Sequence, residues 1–299
     1  MDNHLIKNLK IPASDCDHTS RLSAPDTFAL FQDVATDHAL DLHIGVPDLA
    51  PRHLFWLTVK TKVRFLRRPG MNESVQLETW PEPADRIRCN RDYRLTHDGE
   101  TLALGKTEWA IVDTTTGQLH KASEVFPEEL TFRTDVVWRE PFARLRDDFA
   151  DEPVFARYTV RSVDIDLGGH MNNVAYVRAL AGAFSVAEWD AMDVKEMEVH
   201  FKATCYEGDT LELQRRNRDG ATEVRMSVDG RTVILARIGR VTGAKRPGTY
   251  ACRVTQPMNG KRGGPTAHLS FVGAFSLTKP LVIPGEIEKP WHIKSPGIA

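Results

Sequence analysis

The sequence predicts an α+β protein made of two similar units in tandem, each a long helix wrapped by a curved antiparallel sheet. Three observations carry that expectation: segments that recur in fixed order, one helical stretch with a clear apolar face in each half, and a run of strand-like segments after each helix. "SDCDHTSRLSAPDTF" (Ser14 to Phe28) lies over "VDIDLGGHMNNVAYV" (Val163 to Val177), so that Asp15 and Asp17 fall on Asp164 and Asp166. "VRFLRRPGMNESVQL" (Val63 to Leu77) lies over "VHFKATCYEGDTLEL" (Val199 to Leu213), and "DGETLAL" (Asp98 to Leu104) over "DGRTVIL" (Asp229 to Leu235). Each match is weak alone; their common order implies a duplicated fold.

Each half reads as one strand, one long helix and four strands. In the first half Ser23 and Asp26 form a helix-start box and Pro25 suits the first turn; Phe28, Phe31, Ala35, Ala39 and Leu42 then share one face, and Gly45 and Pro47 close the helix. Strands are expected near Phe55–Leu66, Ser74–Trp80, Arg88–Thr96 and Thr101–Val112, with the Asp98-Gly99 pair as a hairpin turn. In the second half a single helix is expected from Asn172 to Trp189, with Val177, Ala181 and Phe184 on one face and small residues around it that let a sheet approach closely. The expected organisation is residues 1–140, residues 141–242, and an irregular Gly- and Pro-rich tail, 243–299, holding one short apolar stretch at Leu269–Leu277.

Composition bounds the function. With 41% hydrophobic and 27% charged residues over 299 positions, the chain suits two globular units, and a net charge of −2 gives no global pull toward nucleic acid or anionic membrane. Cys16, Cys89, Cys205 and Cys252 lack the close pairing of a zinc site or disulfide scaffold, which suits a reducing compartment. The opening MDNHLIKNLK has no signal-peptide apolar stretch, and no segment offers the roughly 20 apolar residues of a membrane span, so a cytoplasmic protein is expected.

The chemistry concentrates in "DIDLGGHMNN", Asp164 to Asn173. Asp166 is a candidate general base or nucleophile. His170 can orient water or protonate a leaving group. Asn172 can cap the following helix and help place a carbonyl, and the backbone N–H groups of a helix start suit a developing oxyanion. Gly168 and Gly169 allow a tight turn and close substrate approach. Asp164, Asn173 and Tyr176 read as structural supports. The first-half equivalents, Asp15, Asp17 and Arg21, lack the imidazole and the glycines, so that half is expected to bind and pack without chemistry of its own.

"DIDLGGHMNNVAYV" resembles the D-x-D-x-x-G-H-x-N-N-x-x-Y signature of hotdog thioesterases. The pairing of two halves in one chain, with "LFQDVATDHALDLHIG", "WLTVKTKVRF", "LETWPEPADRIRCNRDY" and "GKTEWAIVDTTTG", is similar to bacterial and plant acyl-acyl-carrier-protein thioesterases over about residues 5–241. The resemblance implies a tandem hotdog and hydrolysis of fatty acyl thioesters in fatty acid biosynthesis, with Asp166 and His170 on the family's catalytic positions. It implies no metal or organic cofactor. Two positions depart: Gly168 stands where the family usually has asparagine, and Thr204 where it usually has glutamate. Water in the place of the missing carboxamide predicts that Gly168→Asn is well tolerated. Cys205 falls on a cysteine of the plant relatives. In "KTKVRFLRR", Lys60, Lys62, Arg64, Arg67 and Arg68 form a candidate docking strip for an acidic carrier protein or for the phosphates of coenzyme A. An acyl-CoA thioesterase and a non-catalytic acyl- or carrier-binding module are the alternatives, and a homodimer is an expected assembly.

Overall fold

Strand β1 (Leu5–Lys10) precedes helix α1 (Ala24–Asp41), the short helix α2 (Val46–Leu49) and strands β2 (Leu54–Phe65), β3 (Ser74–Pro81), β4 (Arg88–His97), β5 (Glu100–Asp113) and β6 (Leu119–His120). Strand β7 (Val154–Thr159), helices α3 (Asn173–Gly182) and α4 (Val186–Met192), and strands β8 (Glu196–Phe201), β9 (Thr210–Arg218), β10 (Ala221–Val228) and β11 (Arg231–Gly239) repeat that order. The computed structural model describes residues 3–84 and 87–239, all within one compact unit, Met1–Pro247. The expected tail lies outside the described residues.

The strands join in the order β1-β3-β4-β5-β2-β8-β11-β10-β9-β7, with β6 added beside β5. Every pairing is antiparallel, and the two halves meet where β2 pairs with β8. The four strands expected in the first half each form within two residues of their expected bounds.

Helix α1 starts where the sequence places it. Ser23 Oγ accepts the Asp26 N–H at 3.0 Å, and Thr27, Phe28, Phe31, Val34, Ala35 and His38 form its buried face. Phe31 stacks on Tyr93 of β4 at 4.6 Å between centroids, pressing the helix onto the sheet. Fully burying each such side chain contributes about 1.5–3 kcal/mol. The single helix expected from Asn172 to Trp189 is instead two. Ala183 closes α3, and Ser185 opens α4 by accepting the Glu188 N–H while Glu188 accepts the Ser185 N–H, a reciprocal cap that restarts the chain in a new direction.

The duplication is visible atom by atom in the loops before α1 and α3. Cys16 bridges to Leu22 as Ile165 bridges to Met171. Asp17 N–H donates to the Arg21 carbonyl at 2.8 Å, as Asp166 N–H does to the His170 carbonyl at 3.1 Å. Ser20 at φ +56° occupies the left-handed place that Gly169 takes at φ +73°. Both halves share one core, in which Phe28 and Phe31 meet Val177 and Leu180, while a second cluster, Leu42, Ile44, Leu49, Leu54 and Ile111, belongs to the first half alone.

Candidate active site

The loop from Asp164 to Asn173 is held by its own carboxylates and by its neighbours. Asp164 is buried; its side chain accepts from Tyr158 Oη at 2.8 and 3.0 Å and from the Arg161 N–H at 2.8 Å, and its carbonyl accepts the Asn172 N–H at 2.8 Å. Asn172 caps α3 by accepting the Val174 N–H at 2.8 Å, and the Asn173 carboxamide donates to Thr58 Oγ1 of β2 at 2.9 Å. That last bond ties the second-half loop to the first-half sheet.

Within this frame Asp166 and His170 stand side by side, each about one quarter exposed. The Gly168 N–H donates to Asp166 Oδ1 at 2.8 Å, Asn172 Nδ2 approaches Oδ2 at 3.4 Å, and His170 Nδ1 lies 3.9 Å from Oδ1. Gly169, at φ +73°, makes the turn. Gly168 serves differently: a Cβ there would lie 2.9 Å from His170 Nε2 and 3.1 Å from Asp166 Oδ1. An asparagine at this position would therefore meet the tip of the imidazole, and the ring would have to shift to admit it.

Asp166, His170 and Asn172 line one wall of a cavity of about 440 Å³ that extends into the first half. Ala35 and Ala39 of α1, Thr58, Cys89 and Trp109 of the sheet, and Trp56 and Phe126 line it as well. Thr204 also lines it, where a carboxylate was absent from the sequence. Cys205 does not: it is fully buried beside the Tyr176 hydroxyl, burial pushes its thiol pKa up, and its backbone carbonyl accepts the Met171 N–H at 2.8 Å. It supports the loop from behind. Sequence reasoning also missed the first-half residues of the cavity, above all Arg91, which is buried on the inner face of β4. Its signal in "RCNRDYRL" is a charge at an inward strand position.

The residues of the basic strip are each engaged within the protein, and one of them is buried. Lys62 is 2% exposed; its ammonium donates to the Glu140 carbonyl and lies 4.2 Å from the Trp138 ring centroid. Arg64 pairs with Glu196, which faces it across the β2–β8 seam, and Lys60 with Glu108 at 3.2 Å. Arg67 grips Glu73 and Glu100, and Arg68 pairs with Asp17. Of the five, Arg64 alone pairs with a carboxylate of the second half and Lys62 is buried, while Lys60, Arg67 and Arg68 are held by first-half carboxylates and stay partly exposed. Asp17, the partner of Arg68, is the first-half counterpart of Asp166.

Two helices, each flanked by one lobe of a continuous antiparallel sheet and preceded by the same loop, define a double hotdog protein. A model of the acyl-ACP thioesterase N-terminal domain matches residues 3–130 and one of the C-terminal domain matches residues 148–238; the chain belongs to the acyl-ACP thioesterase family. It is 22% identical over 249 residues to the chloroplastic oleoyl-acyl carrier protein thioesterase 1 of Arabidopsis thaliana, covering 77% of this chain and 64% of that one. With the palmitoyl-acyl carrier protein thioesterase of the same plant it is 24% identical, over 54% of this chain and 41% of that one. The chain thus spans about two thirds or less of the length of these relatives. Among solved structures, an acyl-ACP thioesterase from Bacteroides thetaiotaomicron superposes with a TM-score of 0.67 at 17% identity, covering 79% of this chain and 97% of the other. The 12:0-ACP thioesterase of Umbellularia californica gives 0.66 at 18% identity, over 80% and 97%.

Proposed function

We propose that the protein hydrolyses fatty acyl thioesters of acyl carrier protein, releasing free fatty acid and the carrier thiol. The observation that carries the reading is the placement of Asp166 and His170, side by side, at a cavity that the helix of the other half also lines. In this reading the acyl chain enters that cavity and the thioester carbonyl sits at the start of α3. The first-turn N–H groups of a helix lack intrahelical acceptors, and they and the helix dipole favour the oxyanion. Asp166, its carboxylate aimed by the Gly168 N–H and the Asn172 carboxamide, takes a proton from water as the water oxygen bonds to the carbonyl carbon. The carbon–sulfur bond then breaks, and His170 delivers a proton to the departing thiolate. Thr204 and Asn172 hold the water or carbonyl in place.

A cytoplasmic setting completes the reading. Cys16, Cys89 and Cys205 are free thiols, and among the described residues no helix is long and apolar enough to cross a membrane.

The deciding experiment is thiol release from matched acyl-carrier-protein and acyl-CoA substrates by the parent protein and by Asp166→Asn. The carrier-protein substrate should turn over faster, and the substitution should cost about 10²–10⁴ in kcat without loss of folding. Tight binding of substrate with no thiol release by the parent would make it an acyl-binding module instead.

A further inference from the structure

Strand β2 is paired on both sides for only part of its length. Toward β5 it pairs from Leu54 to Phe65, but toward β8 only from Lys60 to Arg64. Among the described residues no strand pairs with residues 54–59 on that second side. There β8 has ended at Phe201, and the chain continues as Lys202, Ala203 and Thr204. These three residues and residues 55–59 line the same cavity as Asp166 and His170. Side chains alternate between the two faces of a strand, so a cavity that touches five consecutive residues runs along the strand's edge and not over one face. The cavity therefore includes a slot in the sheet, between the edge of β2 and the segment that leaves β8.

The edge brings its own backbone groups to that slot. The His53 carbonyl accepts the Thr114 N–H at 2.7 Å, which continues the β2–β5 ladder and turns positions 53, 55 and 57 toward β5. In an antiparallel strand the backbone groups of alternate residues turn to opposite edges, so those of Trp56 and Thr58 turn to the slot. Thr58 is also where the loop bearing Asp166 meets the strand, through the Asn173 carboxamide. A hydrocarbon chain laid along this edge would cover N–H and C=O groups and offer them no partner, which is costly. An extended chain that itself carries amides would complete them, as a peptide completes an exposed sheet edge.

We propose that the free edge of β2 at Trp56 and Thr58 is the subsite for the amide-bearing pantetheine arm of the thioester, which lies along it as a short added strand. This rests on the thioesterase reading above and names the part of the substrate that the slot takes. The arm is common to acyl carrier protein and coenzyme A, and its sulfur carries the acyl group. Backbone hydrogen bonds to the arm hold the thioester end at Asp166, while the acyl chain takes the part of the cavity lined by Ala35 and Ala39. No covalent bond is made or broken in this binding.

The test compares one acyl group on three thiols of matched length: pantetheine, pantetheine N-methylated at the amide nearer the sulfur, and an alkanethiol with methylenes in place of both amides. N-methylation should lower kcat/KM by about tenfold, and loss of both amides should lower it further, as expected for missing hydrogen bonds. Alkanethiol thioesters turned over as well as pantetheine ones would overturn the subsite while leaving thioester hydrolysis intact. The N-methylated arm carried in turn by acyl carrier protein and by coenzyme A shows which source uses the slot; the tenfold loss should appear with the carrier protein, and its absence from both would overturn the proposal. A further measurement reads the edge itself and needs no turnover: amide hydrogen exchange with the non-hydrolysable S-alkyl pantetheine thioether. Exchange at Trp56 and Thr58 should slow several-fold with this compound and not with the thioether that lacks amides. If that slowing occurs but no thioester releases thiol, the subsite stands and the hydrolase reading fails. Failure of the pantetheine thioether to bind, or binding with unchanged exchange at both positions, would overturn the subsite.

Discussion

At the scale of single residues, the candidate chemistry is local and was therefore readable. Asp166, His170 and Asn172 lie within seven positions, so one glycine-bearing turn and one helix start bring them together, and the chain itself encodes their proximity. Side-chain space is a different matter, because it depends on what faces a position from elsewhere. Gly168 illustrates this: read as a vacancy in the sequence, it lies where a Cβ would come within 2.9 Å of His170 Nε2. Gly168→Asn should consequently push the ring off the Asp166 carboxylate and lower kcat by about tenfold or more, as for a displaced polar group at a reacting centre. Thermal melting and thiol release on the same preparation check this. Parental activity in a folded variant would mean that the ring position does not matter for turnover. Cys205 teaches the converse, since alignment brings it near the site and burial removes it from the reaction.

At the scale of elements, period and capping signals located α1 and the first-half strands, because those signals act over a few neighbouring residues. They failed at α3, where small residues of high helix propensity continue past the true end and the Ser185–Glu188 cap turns the chain away. They also left the partner of the basic strand unnamed. The basic strand reads as a candidate docking strip, and only the sheet order brings Lys62 opposite Glu198 and Arg64 opposite Glu196. Helix α1 carries a further expectation. Its Ala35 and Ala39 are small where the helix lines the cavity, so the free volume there is set by what these two positions lack. Ala39→Leu, on the less buried of the two, should cut kcat/KM for the longer member of a pair of homologous acyl thioesters by about tenfold or more relative to the shorter, since each methylene is worth roughly 1–3 kcal/mol in a tight apolar pocket. An unchanged ratio between long and short chains would mean that the chain passes elsewhere.

At the scale of the whole molecule, the repeats foretold the duplication but not how completely the copies merge. One sheet runs through both, one core serves both helices, and the Asn173–Thr58 bond crosses between them. Cutting the chain at the expected boundary would expose the β2 and β8 edges and half of a shared core, a template for aggregation. Residues 1–140 and 141–242 made separately should each be inactive and poorly soluble, with thiol release regained only on co-expression. An active isolated 141–242 would show that the first half is dispensable. The loop at Asp17 has a broader meaning. In an assembly of two identical chains, every substitution appears at both sites at once, so a change that blocks one centre blocks the other. Fusing the copies into one polypeptide lifts that constraint: Arg68 pairs with Asp17 in one loop alone, so under the proposed chemistry the first-half copy is free to diverge toward selecting substrates while the second carries the reaction.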